Sequence, residues 1–334
     1  MNRIKCLILT LITILISNVC LSISSDFTLY KKIKIKDEQA RIAAIPQLIF
    51  DCKGDMYVLN FTRVYKINNK GEFIDEIIKK GLGPDEIALS FKINMNESAD
   101  TLVIHDHDKQ KITLFNLNGR YIKTMDSPTK KIGRMLVSNN LGDYYLYIGS
   151  KKGECQLLHL DKDFKTLNCF YTYNGIVKLI PSSSIPIDSD LKGNIYATDT
   201  RDYNIQVFTR NGQLINSYAS PGKYYKKLKG NAPSENKAYY KWRESASSIH
   251  SIQVIEDKAL IVFYGDSKRG FDIYYDLYSL EGKKVASGIW EKDMKPVGKD
   301  RQGRLVCAKT DISDDGTDVT HWLYIYQLKP GIVK

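Results

Sequence analysis

The feature that most constrains this chain is a hairpin pattern that returns six times and ends one strand short. Around Asp51 and Gly54, Asp190 and Gly193, and Asp300 and Gly303, a polar turn leads into an apolar strand. A second turn recurs farther along the unit, as Asn69-Lys70-Gly71, Leu117-Asn118-Gly119, Arg210-Asn211-Gly212 and Leu280-Glu281-Gly282. Tight hairpins demand positive φ, which Gly and Asn accept at little cost. Short strands repeating in fours, with two such turns per unit, specify an all-β fold, a six-bladed β-propeller.

The units fall at residues 45–79, 91–126, 133–172, 184–218, 249–291 and 295–328. In the first, strands a to d run over residues 47–51, 56–60, 64–67 and 72–77, from the ring centre outward. The sixth unit has strand c at residues 321–326 and then too little chain for strand d. Residues 27–35 are β-rich and belong to no unit, so the N-terminal strand is expected to close the ring on the last blade, covering two open edges. Residues 220–248 break the period between blades four and five. Their composition predicts a short helical insertion over residues 236–243, with Ser234 as N-cap after Pro233. Insertions of this kind are where a repetitive scaffold gains specificity.

Residues 1–24 read as an address. Arg3 and Lys5 precede an apolar run over residues 7–16, followed by small and polar residues, the layout of a secretory signal peptide rather than of a bilayer span. The expected domain is therefore residues 25–334, in a periplasmic, cell-surface or secreted setting. Lipid anchoring at Cys20 is not favoured, because Asn18 and Val19 lack the small side chains such a site prefers. An anchor of that kind is the one membrane contact the chain suggests.

Losing Arg3 and Lys5 takes Lys and Arg from 49 to 47 against 38 acids, leaving about nine positive charges. That surplus suits an anionic partner. It is spread along the chain with no nucleic-acid motif beside it, so nucleic acid is not expected as a partner.

Of the four cysteines beyond the leader, Cys155 and Cys169 flank the turn at residues 161–163 almost symmetrically and are candidates for a disulfide across one hairpin. No cysteine pair has C-x-x-C spacing, so no structural metal is expected. His105-Asp106-His107-Asp108 looks like a metal cluster in isolation. It aligns without gaps to a segment of blade four in which Thr198 and Thr200 replace the histidines, and the shared acids Asp106 and Asp199 read as turn caps.

The linker Lys80-Gly81-Leu82-Gly83-Pro84-Asp85-Glu86 resembles the G-x-G-P-G-E linker of bacterial six-bladed propellers related to NHL repeats, with Asp85 in place of the second Gly. The pattern from Gly193 to Gly212 is similar to the NHL core. The resemblance covers most of residues 45–218. It implies the fold and export, often with lipid anchoring, and no assigned activity.

Propeller lactonases and amidating lyases resemble this architecture and hold an axial metal with inner-strand carboxylates, Asn or His. Counting back seven or eight residues from each a-to-b turn gives Gln47, Lys92, Arg134, Pro186, His250 and Lys295, a ring without carboxylates. It offers no ligand set for a metal or other cofactor, and no catalytic residues are identified. Lys92, Arg134, His250 and Lys295 are instead expected to form a basic funnel at one axial mouth, with Tyr239 and Trp242 of the insertion beside it as a partial lid. The leading expectation is an exported, non-enzymatic binding or scaffold propeller that takes a protein, peptide or glycan ligand, anionic at the mouth. An axial hydrolase or lyase is the alternative.

Overall fold

A computed structural model describes residues 25–37, 42–129, 133–139, 141–148, 153–172, 185–200, 202–230, 233–266, 273–291, 293–313 and 318–333. The leader expected over residues 1–24 lies outside the described residues. Blade one is β2 (Gln47–Phe50), β3 (Met56–Asn60), β4 (Arg63–Ile67) and β5 (Phe73–Lys80), to which β6 (Glu86–Ile87) adds a short parallel strand. Blade two is β7 (Ile93–Met95), β8 (Thr101–Asp106), β9 (Lys111–Asn116) and β10 (Tyr121–Asp126). Blade three is β11 (Gly133–Ser138), β12 (Tyr144–Ile148), β13 (Cys155–Leu160) and β14 (Thr166–Thr172). Blade four comprises β15 (Ile187–Ser189), β16 (Ile195–Ala197), β17 (Ile205–Phe208) and β18 (Leu214–Tyr218). Blade five comprises β19 (Ser247–Ile255), β20 (Ala259–Asp266), β21 (Ile273–Ser279) and β22 (Lys284–Ile289). In blade six, β23 (Met294–Lys299), β24 (Leu305–Ile312) and β25 (Val319–Leu328) are completed by β1 (Phe27–Ile35).

The turns that marked the repeat are closed by side chains. Asp51 Oδ1 accepts the backbone N–H groups of Lys53 and Asp55, both at 2.9 Å. Asn139 does the same for Leu141 and Asp143, and Asp300 for Gln302 and Arg304. An acceptor at the first turn residue satisfies N–H groups that the hairpin leaves unpaired. The Tyr57 hydroxyl lies 3.1 Å from the Asp51 carboxylate and 3.3 Å from the carbonyl of Leu117 in blade two, coupling one blade's turn to the next blade.

Apolar packing lies between blades rather than at the axis. Tyr57, Leu59 and Val64 of blade one meet Ile93, Leu102 and Phe115 of blade two. Equivalent clusters occupy the other junctions. The strand β1 serves two of them. Phe27 enters the cluster between blades five and six, and Ile33 and Ile35 enter the one between blades six and one.

Closure is therefore both hydrogen bonding and packing. β1 runs antiparallel to β25 from Phe27 opposite Leu328 to Ile35 opposite His321, with one irregularity at Tyr30. The Phe27 ring sits edge-on to Tyr275 and Trp290, at centroid distances of 6.0 and 5.5 Å. On the solvent side Lys31, Lys32 and Lys34 are exposed, and Lys32 Nζ lies 3.9 Å from the Trp322 ring centroid. Lysines along an outermost strand discourage pairing with another chain.

The insertion between blades four and five carries α1 (Asn236–Glu244). The expected N-cap is corrected by one residue: Glu235 holds that position, without a side-chain cap bond, and Ser234 stands too early to serve the first-turn N–H groups. The insertion is fastened by a carboxylate. Asp276, wholly buried in β21, accepts from Tyr203 Oη and Gly222 N at 2.7 Å each and from Ser287 Oγ at 2.5 Å, with Tyr264 Oη at 3.3 Å. A Cβ on Gly222 would stand 2.1 Å from Asp276 Oδ1, so only glycine fits. A disulfide links Cys155 of β13 to Cys169 of β14, with the Cα atoms 6.0 Å apart.

A chain beginning at Lys36 is expected to lose solubility or to melt far below the parent, because Trp322 to Tyr326 then become an open edge. Phe27→Ala alone should cost about 3 kcal/mol. Thermal unfolding checks both, and a truncated chain melting with the parent would contradict closure by β1.

Candidate functional site at the axial channel

The inner strands are stitched to one another by side chains. Gln47 in blade one accepts from Ile93 N (2.8 Å) and donates to Ile93 O (3.0 Å) in blade two. Asn94 of blade two donates to Leu136 O (2.8 Å) and accepts from Ser138 N (3.1 Å) of blade three. Asp188 of blade four accepts from Val254 N of blade five at 2.7 Å. Between blades six and one the backbones approach directly: a Cβ on Gly298 would lie 2.3 Å from Leu48 O. These polar groups consume inner-strand hydrogen-bonding capacity that neighbouring strands of different blades cannot satisfy by pairing.

Three charged side chains are electrostatically coupled inside this frame. Lys299, the last residue of β23 in blade six, forms an ion pair with Asp188 of blade four. Lys92, at the start of blade two, feels both. Burial lowers the Lys92 pKa below the ordinary lysine value, Asp188 acts to raise it, and Lys299 lowers it further. Lys92 keeps some solvent contact although protein surrounds it. Among the described residues no carboxylate comes within ion-pair distance of its ammonium. Two cations and one carboxylate from alternate blades leave one positive charge incompletely compensated.

The expected axial ring is corrected by this arrangement. Asp188 is an inner-strand carboxylate, and the charges that Lys92 feels are those of Asp188 and Lys299. Counting back a fixed distance mixed two levels. Gln47, Lys92 and Pro186 stand four residues before Asp51, Asn96 and Asp190, whereas Arg134, His250 and Lys295 stand five before Asn139, Ile255 and Asp300. Successive strand residues point to opposite sides, so a count that mixes the two offsets does not select a single level. His250 in addition falls at the register break of β19, which re-aims a side chain.

His250 and Lys295 are exposed; the side chain of Arg134 lies outside the described residues. Tyr239 and Trp242 face inward on the insertion, packed against Leu228 and Ala246, with Trp242 Nε1 donating to Lys229 O at 2.6 Å. Tyr240 is the exposed aromatic of α1.

Asp106 accepts from Asp108 N and Lys109 N (3.1 Å each) within its own loop, and from Ala88 N (2.7 Å) in the linker from blade one. The G-x-G-P-D-E linker is itself closed by Gly83 N donating to Glu86 at 2.7 Å, with Lys109 Nζ on the carbonyls of Gly83 and Glu86. Among the described residues no group of three or more His, Cys, Asp and Glu side chains is placed to hold a metal ion. His105 is buried with neither ring nitrogen hydrogen-bonded, and burial, reinforced by His107, lowers its pKa to about 4.

The sign of the His105 effect follows from linkage. The unfolded chain takes up a proton near the ordinary value of 6.5, the folded chain only near 4, so stability is lost as pH falls between those values. The loss should approach about 3 kcal/mol at the acid end. His105→Phe is expected to flatten this part of the pH–stability profile in urea titrations; an unchanged slope would contradict it.

The chain matches the family model described as a six-bladed beta-propeller, DUF5128, over residues 33–295. No curated protein matches the sequence. A DUF4221 family member from Bacteroides vulgatus is similar in structure, with a TM-score of 0.68 at 9% identity over 91% of this chain and 98% of that one. A Bacteroides fragilis protein inferred to be exported gives a TM-score of 0.65 at 15% identity over 92% and 98%. Virginiamycin B lyase from Staphylococcus aureus gives 0.53 at 12% identity over 91% and 100%. At these identities the likenesses speak to the fold, and the family match decides the rest: the chain belongs to the DUF5128 family of six-bladed β-propellers.

Proposed function

We propose that this propeller is an exported, non-catalytic binding protein that receives the anionic group of its ligand at the mouth of the axial channel. The observation that carries this reading is the Asp188–Lys299 ion pair across blades four and six, with the enclosed Lys92 of blade two within electrostatic reach of both. Asp188 is occupied by Lys299 and by Val254 N, so an incoming carboxylate or sulfate competes with no protein anion for Lys92. An enclosed ammonium binds an anion more tightly than a fully hydrated one, because less of the attraction is lost to solvent. Export rests on the basic-then-apolar leader, and is in keeping with the structural likeness to the Bacteroides fragilis protein.

Acetate and sulfate, titrated calorimetrically into the purified domain at fixed ionic strength, provide the test. Lys92→Gln is expected to weaken binding by about tenfold, while Lys229→Gln on the exposed insertion leaves it unchanged. Binding should weaken as sodium chloride rises. Indifference to both Lys92 and salt would overturn the reading. Stoichiometric zinc or calcium in the purified protein would redirect it toward a hydrolase or lyase.

A further inference from the structure

Beside Lys92 the chain places aromatic surface where packing does not call for it. Phe61 is 47% exposed and Phe91 37% exposed, with ring centroids 6.5 Å apart and edge-to-face. The His107 ring stands edge-on to Phe91 at 5.4 Å. Phe61 lies in the loop between β3 and β4, Phe91 just before β7, and His107 just after β8. In an antiparallel blade all three positions are at the end of the ring where the inner strands begin, and Phe91 is followed directly by Lys92.

The three segments are fixed to one another through the backbone. Ser90 N donates to Phe61 O at 2.6 Å, and His107 N donates to Leu89 O at 2.7 Å. Phe61 itself has φ +50°, the left-handed region that Asn or Gly adopts at less cost than an aromatic residue. That φ belongs to the two-residue turn Phe61-Thr62 joining β3 to β4, where a tight hairpin demands it; the turn does not demand an exposed aromatic ring there.

We propose that the ligand is an amphipathic carboxylate, whose apolar or aromatic group rests on Phe61 and Phe91 while its carboxylate reaches Lys92. This rests on the anion-binding reading of the channel. Continuity with the cationic site selects such a ligand over a purely apolar one: the platform alone would gain only contact area, and Lys92 alone would not distinguish acetate from a larger acid.

Three probes separate the parts: N-acetylphenylalanine carries ring and carboxylate, N-acetylphenylalaninamide the ring alone, and acetate the charge alone. N-acetylphenylalanine is expected to bind about tenfold tighter than acetate, and the amide far more weakly than the acid. Phe61→Asn should remove the gain over acetate, leave acetate binding intact, and hold or raise the melting temperature, since Asn relieves the backbone. A merely structural Phe61 would instead lower it, and that result overturns the proposal. Equal affinities for acetate and N-acetylphenylalanine, both dependent on Lys92, overturn it while leaving the channel reading in place. Failure of every carboxylate to bind overturns both. Dissociation of a dimer by Phe61→Asn in sedimentation would make the platform a contact between copies of this chain and likewise end the proposal.

Discussion

The pairing of β1 with β25 is the constraint on which the rest of the molecule depends. A ring of separate sheets has no continuous backbone ladder, so its first and last blades must be joined by something other than sequence neighbours. Here one strand from the N-terminal end supplies the fourth strand of blade six and apolar side chains to two inter-blade junctions. The contact spans nearly the whole described chain, from Phe27 to Leu328, and such a pairing pays its loop-closure entropy late in folding. Once made, it fixes the circumference and thereby the distances between inner strands that no sheet hydrogen bond connects.

That circumference gives the charges at the axis their meaning. Lys92, Asp188 and Lys299 are far apart in sequence and belong to blades that are not neighbours in the ring. Only a closed ring brings them together. An ammonium in such a place has lost part of its hydration and gained incomplete compensation, since among the described residues the carboxylate it feels, Asp188, is held by Lys299 and a backbone N–H. The same logic runs through the fold. Asp276 is buried with no cation paired to it among the described residues and is made tolerable by donors from Tyr203, Tyr264, Ser287 and the backbone of Gly222.

The repeat was legible because turn chemistry is local. Asp51, Asn139, Asp190 and Asp300 each hydrogen-bond turn N–H groups within a few residues, so their spacing reports the hairpins directly. The missing last strand and the orphan segment at residues 27–35 made the closure legible too. The axial charges were harder to see for a geometric reason. A fixed count back along each inner strand stopped at Pro186 and Lys295, two and four residues short of Asp188 and Lys299. Nor could sequence show that Tyr239 and Trp242 pack inward, since their aromatic character fits a small core as well as a lid.

The most direct measurement is the titration of Lys92 itself, followed by NMR of the side chain in the parent and in Lys299→Gln. Convergence of blades two, four and six predicts that Lys92 loses its proton below the exposed lysines, and that removing Lys299 frees Asp188 and raises the Lys92 pKa. A Lys92 that titrates with the surface lysines and does not respond to Lys299→Gln would contradict the account.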